Sequence, residues 1–351
     1  MSQPIAYGRA LYYPYIQLKN NLWLKTAALY YDGIDRIVPK GYDTRDNRTV
    51  KSLNDHFDFV HDIDPKAEAE NIAHPFLNYL HKEFATSQQR NTLFKRLGIT
   101  LAGQENFSIH MNKMGTPLRE KLPLMGLAAP KDKNNNQQYE FDPATGAMYM
   151  TYLANHLASQ RRLPVITDDP MFQPLIRGMQ SDNNPADVSE KLAALIIKTA
   201  VPENLENIPM RRIIRFRKHH DEERSLFYKE INTLVADLKD VTDEKTLSDI
   251  LNYRAKFINI AAKNLKRSYT GVGIAAATGL LSLSVPAVAV GLGAKVAGAA
   301  IVAMASGKTV AAGIDYQKAK YGSPYSYVLS LNGRLKSDSL FGQLLKGKII
   351  F

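Results

Sequence analysis

Two adjacent carboxylates, Asp168 and Asp169, have the position in the chain that most directly suggests chemistry. They follow the apolar run 163–167, which predicts a buried strand. Ligands of open α/β sheets bind beyond the carboxyl ends of the strands, and paired carboxylates in that place can hold a divalent cation. We therefore predict Asp168 and Asp169 as metal ligands. The alternative is a turn without a metal, because Asp-Asp-Pro is a common turn or helix-start sequence.

Two other stretches contain residue types found in metal or phosphate sites but do not meet the requirements of such sites. The acidic segment Asp55–Asp64 includes two histidines, yet its spacing matches no recognised metal site, and we expect a solvated loop. The segment Ser306–Thr309 resembles the end of a phosphate-binding loop, but that motif requires glycine at the position of Val302. No cofactor is predicted.

A second group of charged residues lies on a predicted helix that spans 211–240. At helical spacing His220 shares a face with the apolar side chains of this helix, and Glu223 lies near the same buried side. A buried charge needs a partner, which indicates an anion site or a polar network. The predicted members are Arg215, His220, Glu223 and Arg224. The alternative is a solvated helix with ion pairs between residues four positions apart, such as Lys218–Glu222.

The longest apolar stretch is 271–307, in which Lys295 is the only charged residue. A bilayer-spanning helix takes about 20 apolar residues, and the part before Lys295 is long enough. Its glycines and its proline suit close helix packing in lipid, and basic residues flank it on both sides. We predict a hydrophobic hairpin whose membrane-contacting residues are Leu280, Leu281, Val285, Pro286, Val288 and Lys295. The alternative is a buried pair of Ala/Gly helices in a soluble domain.

Composition excludes several classes of function. The chain has 351 residues, no cysteine and a net charge of +11. Without cysteine there are no disulfides, thiolate zinc sites or cysteine nucleophiles. The positive charge favours anionic partners, but no basic helix carries interleaved aromatic residues, so no dedicated nucleic-acid recognition is predicted. Because 1–10 has no apolar core, it is not a secretory signal, and we expect a cytoplasmic protein. The apolar segment 271–307 leads us to expect that this protein associates with the inner membrane.

Alternating strand and helix patterns predict the elements that would position these residues. We predict an α+β protein, in which a mixed α/β domain (1–202) precedes a helical domain (203–322) that contains the hairpin, and a tail (323–351) packs back. In the first domain the pattern predicts strands within 5–18, 34–38, 122–129 and 163–167, helices at 20–32, 66–96, 145–160 and 189–199, a C-cap at Gly33 and a polar loop at 131–138. In the second it predicts helices at 211–240 and 244–267.

Three segments carry a resemblance to a known family. YYPYIQLKNNLWLKTAALYYDGIDRIVP (12–39) resembles the opening of a family of bacterial proteins of unknown function. RFRKHHDEERSLFYKEI (215–231) and PVITDDPMF (164–172) resemble later parts of the same family. The resemblance implies a common organisation and no particular activity. More distantly, the resemblance implies that the protein belongs to the set of bacterial proteins that includes phage-defence effectors.

These observations lead to one hypothesis and two alternatives. The hypothesis is a bacterial effector, active in phage defence, that acts on the inner membrane by exposing its hairpin to lipid. One alternative is a metal-dependent hydrolase or nuclease that uses Asp168 and Asp169. The other is a non-catalytic interaction module with a protein partner or a second copy of the chain.

Overall fold

The computed structural model describes residues 8–100, 106–132, 135–169, 171–179 and 205–238, with Thr246, Tyr327, Ser330, Leu331 and Leu335. Helices occur together with parallel and antiparallel sheets, so the predicted α+β class is confirmed. Several predictions lie outside the described residues. They are the hairpin 271–307 with its six membrane-contacting residues, the helix 189–199, and the helix 244–267 apart from Thr246.

Contacts divide the chain into two units. One contains residues 5–182, and the other contains 1–4 and 183–351. Within the described ranges, no helix combines the length and the apolar character needed to cross a membrane.

A parallel sheet of four strands forms the frame of the 5–182 unit. Its order is β3-β2-β1-β7, and each neighbouring pair is parallel. The chain thus adds β2 and β3 on one side of β1 and then returns to add β7 on the other side. The strands are β1 (Arg9–Tyr12), β2 (Gly33–Ile37), β3 (Val60–Ile63) and β7 (Val165–Ile166). This confirms the strands predicted within 5–18, 34–38 and 163–167.

A second, antiparallel sheet lies between β3 and β7 in the sequence. It has the order β4-β6-β5, with strands β4 (Phe107–His110), β5 (Ala128–Asp132) and β6 (Asn135–Phe141). The predictions for this region were wrong in two places. Most of the expected strand 122–129 belongs to a helix and the turn after it, and most of the expected loop 131–138 forms a β-hairpin. Cross-strand pairing therefore overrides the low strand propensity of the polar run.

Seven helices of this unit are described. Asn20 begins α1 by accepting a hydrogen bond from the Trp23 amide at 3.0 Å. Gly33, predicted as the C-cap of α1, is instead the first residue of β2. The predicted helix 66–96 is two helices, because Thr86 and Gln89 form a capping box that starts a new one. The helices are α1 (Asn21–Tyr30), α2 (Arg48–Phe57), α3 (Lys66–Glu83), α4 (Ser87–Arg96), α5 (Thr116–Leu124), α6 (Pro143–Arg161) and α7 (Phe172–Met179).

The core of the unit forms where α3 and α6 meet both sheets. Phe76 on α3 and Tyr149 on α6 are fully buried, with ring centroids 5.0 Å apart. Leu11 from the parallel sheet and Phe141 from the antiparallel sheet belong to the same buried cluster. One core therefore joins the two sheets.

The described part of the other unit is a pair of consecutive helices, α8 (Met210–His219) and α9 (Asp221–Leu238). The sequence predicted one helix over 211–240, but the helix is interrupted at His220. Tyr327 is fully buried against this pair, with its ring 5.7 Å from Phe216 and 6.1 Å from Phe227. Tyr327 therefore belongs to the core of the described helix pair. The other residues of the predicted tail 323–351 lie outside the described residues, apart from Ser330, Leu331 and Leu335.

Candidate functional site

A cavity of about 1100 Å³ lies beyond the carboxyl ends of the parallel strands. The segments after β1, β2 and β7 supply one wall, through Tyr15, Tyr42 and Asp168. The antiparallel sheet and the turn after β4 supply the opposite wall. The strand order reverses between β1 and β7, and such a point is where open α/β sheets bind their ligands. The position of the cavity therefore indicates a ligand site.

Lys113 is the most unusual residue of this cavity. It lines the cavity but is only 4 % exposed, and its ammonium has no hydrogen-bond or ion-pair partner among the described residues. Burial lowers the pKa of Lys113 to about 7, because removal from water penalises the charged form. A buried charge normally has a partner. Within the described part of the chain, Lys113 is thus a cation, or a reactive amine, without a partner.

The position of Lys113 is fixed by its backbone rather than by its side chain. Lys113 ends the short 3₁₀ turn that follows β4, and its carbonyl accepts a hydrogen bond from the hydroxyl of buried Tyr149. Two residues later, Gly115 packs on α3 so closely that an added Cβ would lie 2.6 Å from the Ala69 carbonyl oxygen. Packing against α3 and α6 therefore holds the lysine in place.

His110 lies in the same turn and also lines the cavity. Its pKa is lowered, first by burial and second by the nearby positive charge of Lys113. The Tyr42 ring meets the imidazole edge-on, with centroids 5.8 Å apart and planes at 89°. The imidazole is consequently held neutral beside the lysine at neutral pH.

The N-terminus of α1 reaches the same cavity. Lys19 and Asn20 line it, and Asn20 is the N-cap residue of this ten-residue helix. Amide groups at a helix N-terminus attract anions. Lysines at 19, 113 and 131 line the cavity with one carboxylate, Asp168. Lys131 pairs with Glu140 at 3.5 Å, so the positive charge of the described lining comes mainly from Lys19 and Lys113.

Asp168 and Asp169 lie where the sequence predicted, just past β7. Both carboxylates accept hydrogen bonds from tyrosines that follow or end β1: Tyr12 donates to Asp168 at 2.8 Å and Tyr15 to Asp169 at 2.7 Å. The pKa of both tyrosines is raised, mainly by burial and further by these carboxylates, so the phenols remain protonated donors. The contacts join the ends of β1 and β7. A metal role for the two aspartates stays a prediction.

No group of three or more histidine, aspartate or glutamate side chains placed to hold a metal ion occurs in the described part of the chain. The acidic segment Asp55–Asp64, expected to be a loop, instead forms the end of α2 and all of β3. Its side chains serve ion pairs: His61 contacts Asp58 at 2.7 Å, and Asp62 pairs with Arg36 at 2.5 Å.

Arg36 in β2 is buried behind the cavity and holds one of its walls in place. It is 2 % exposed and donates to both carboxylate oxygens of Asp46, at 2.5 and 2.7 Å. It also donates to the carbonyl of Ile16, a cavity residue, at 3.3 Å. Burial opposes ionisation of Asp46, but the hydrogen bonds and charge of Arg36 prevail and lower the pKa of Asp46. One buried guanidinium therefore links the segments after β1 and β2.

The second predicted group, in the helix pair, is partly assembled. His220 and Glu223 are both 3 % exposed, and the imidazole Nδ1 lies 2.7 Å from a Glu223 carboxylate oxygen. Arg224 is also buried and donates to Asp221 at 2.6 Å. Arg215, in contrast, is exposed, and the buried arginine of α8 is Arg217. A polar network is therefore present around His220, without Arg215.

Comparison with known protein families gives one match. The model of a family of unknown function, DUF6236, matches residues 39–336, which is most of the chain. The chain belongs to this family. The expectation of an uncharacterised family is thus confirmed, although the segment 12–39 that first suggested it precedes the DUF6236 match except for its last residue. No curated protein and no solved structure matches the chain.

In this DUF6236 member, the sequence did not predict the cavity residues that lie on the side of the antiparallel sheet. Lys113 and His110 fall in the segment FSIHMNKMGTP, which has no recognised motif. The available signal was indirect: a lone lysine between two methionines, followed by the Gly-Thr-Pro helix start at 115–117. Burial of that lysine depends on α3 and α6, which are distant in sequence.

Proposed function

We propose that the 5–182 unit binds a small anionic ligand in the cavity beyond β1 and β7. The observation that carries the proposal is Lys113, a buried ammonium without a partner in the described structure. An anion placed there would supply the missing countercharge, and it would raise the pKa of Lys113 by favouring the protonated form. Lys19 and the N-terminus of α1 add positive potential from the opposite wall.

Isothermal titration calorimetry with pyrophosphate as the probe tests this function. We expect the full-length protein to bind pyrophosphate and Lys113→Met to bind at least tenfold more weakly, because methionine keeps the side-chain length without the charge. Lys121→Met is the matched control, since Lys121 is exposed on α5 and does not line the cavity. Absence of binding to the unaltered protein, or equal binding by Lys113→Met, would reject the proposal.

We also propose, from the sequence, that the apolar segment 271–307 acts on the inner membrane as the effector part of a defence protein. Its length, its small residues and its basic flanks support this role. Expression should depolarise bacterial cells, as measured with a potential-sensitive dye. Val288→Asp should abolish depolarisation, because a charge in the bilayer centre costs about 3 kcal/mol. If Val288→Asp depolarises cells as strongly as the unaltered protein does, this second proposal is rejected.

A further inference from the structure

We infer that the anion bound beside Lys113 is a nucleotide, with its base stacked on Tyr15 and its phosphates towards Lys113 and the N-terminus of α1. This inference rests on the proposed anion-binding function and specifies the class of ligand. Four features of the cavity support it: its size, a fixed aromatic ring, a second aromatic ring, and polar groups along one wall.

The size of the cavity exceeds the needs of a simple oxyanion. Pockets for organic ligands typically measure about 300–1,000 Å³, and this cavity measures about 1100 Å³. A phosphate or sulfate would contact Lys113 and leave most of the walls without a partner. The cavity therefore suits an organic molecule that carries the anion at one end.

Tyr15 provides a rigid aromatic surface in the cavity. It is 42 % exposed although three contacts hold it in place. Its hydroxyl donates to Asp169 at 2.7 Å, and its ring lies 6.3 Å from Phe107 and 6.2 Å from Phe172. An exposed ring that is already fixed loses little conformational entropy when a flat ligand stacks on it. Aromatic bases are the flat groups that most commonly accompany phosphates.

A second aromatic ring, Tyr42, reaches the cavity from the segment after β2. It is 37 % exposed, and its edge-on contact with His110 restrains the ring on one side. Tyr15 follows β1 and Tyr42 follows β2, so both rings lie beyond the carboxyl end of the same sheet. Two exposed rings in one cavity are more than a purely aliphatic phosphorylated ligand requires.

The antiparallel sheet adds neutral hydrogen-bonding groups. Asn106, Ser108 and Gln138 line the cavity, and the Ser108 hydroxyl donates to the Gln138 side-chain oxygen at 3.2 Å. Amides and hydroxyls can both donate and accept, which matches the mixed edge of a base and the hydroxyls of a ribose. The cavity thus combines stacking surfaces, neutral polar groups and a cation that has no partner among the residues the structure describes.

Competition calorimetry on the full-length protein tests the inference. The probes are ATP, GTP, CTP and UTP, with pyrophosphate and the four free nucleosides as reference ligands. We expect at least one nucleotide to bind ten or more times tighter than pyrophosphate and than its own nucleoside. If pyrophosphate binds as tightly as every nucleotide, the nucleotide inference is overturned and the anion site remains. If no probe binds, both are overturned.

Matched tyrosine variants identify the stacking surface. Tyr15→Leu should lower the preference for the nucleotide over pyrophosphate about tenfold, whereas Tyr15→Phe should keep it, because phenylalanine retains the ring. Pyrophosphate affinity should stay unchanged in both variants. Tyr42→Leu, at an exposed position, provides a second test if Tyr15→Leu does not fold. A preference that survives both Tyr15→Leu and Tyr42→Leu would contradict base stacking in this cavity.

Discussion

Lys113 is a residue whose burial is unfavourable for the stability of the fold, although it lines the proposed ligand site. An unfolded chain would hold this lysine with its ordinary pKa of 10.5, while the folded protein lowers the pKa to about 7. Between these values the unfolded state binds more protons, so stability rises with pH in that window. Below pH 7 the full cost of the buried charge is present.

Replacement of this lysine by an apolar residue should therefore stabilise the protein. We expect Lys113→Met to raise the free energy of unfolding at pH 6 by about 2–4 kcal/mol, and by less as the pH rises towards 10.5. Urea unfolding at pH 6 and pH 9 measures the difference. A destabilised variant at pH 6 would show that Lys113 has a structural role. A variant that is more stable yet no longer binds pyrophosphate would have exchanged function for stability.

Arg36 is the residue at which elements are linked to one another. Its guanidinium joins β2 to β3 through Asp62, and it joins β2 to the segment after β2 through Asp46. In the pair with Asp46 the side chains are 3 % and 16 % exposed, whereas those of Arg45 and Asp43 are 80 % and 77 % exposed. Buried and exposed ion pairs differ strongly in the cost of losing one member.

These two arginines make a matched comparison. Arg36→Met should lower the free energy of unfolding by about 3–5 kcal/mol at pH 7, because Asp46 keeps its charge and loses its guanidinium partner. Arg45→Met should change it by less than about 1 kcal/mol. In the unaltered protein the lowered pKa of Asp46 gives stability that is lost as pH falls through that pKa. In Arg36→Met this loss should disappear, and chemical denaturation at pH 7 and pH 3 measures both effects.

The junction of α8 and α9 depends on a polar pair in an apolar setting. The Phe216 ring stacks on the His220 imidazole with centroids 4.4 Å apart, while Glu223 at the start of α9 contacts the imidazole nitrogen. This arrangement places the break between the two helices at His220. The acidic start of α9, Asp221–Glu223, also suits the positive end of that helix.

Glu223→Leu should therefore destabilise the helix pair. We expect a loss of about 3 kcal/mol, because His220 loses its buried carboxylate partner. Glu223→Gln should lose less, since an amide oxygen can accept the same hydrogen bond. Exposed Glu222→Gln is the control and should be nearly neutral. Thermal unfolding followed by circular dichroism gives these values, and a neutral Glu223→Leu would exclude a stabilising pair.

Local patterns predicted the elements whose apolar runs or helical periodicity are visible in the chain itself. The strands at 34–38 and 163–167 and the helix 145–160 are of this kind, although both strands pair with residues that are distant in sequence. The position of Asp168 past a strand followed from them. The β-hairpin 128–141 was missed because its pairing, rather than the propensity of NNNQQ, sets its structure. Lys113 was missed because its burial depends on α3 and α6, which are distant in sequence. A sequence pattern shows which side chains are apolar but not which charged one they will surround.

At the scale of the whole molecule, the ligand cavity belongs to one unit. Every residue that lines it lies between Tyr12 and Met171, and the core that joins the two sheets lies between Leu11 and Leu175. The fragment 5–182 should consequently fold alone with a cooperative thermal transition and bind pyrophosphate within threefold of the full-length affinity. Circular dichroism and calorimetry test this expectation. A fragment that folds but does not bind would show that the remainder of the chain contributes to the site.

The inserted sheet β4-β6-β5 has an evolutionary consequence. The parallel sheet supplies the stacking tyrosines, whereas the insert supplies Lys113 and the neutral polar wall. Changes in the insert could thus give a relative a new ligand while the scaffold stays intact. Diversification within the family would then be concentrated between residues 106 and 141, on the side of the pocket that no parallel strand supports.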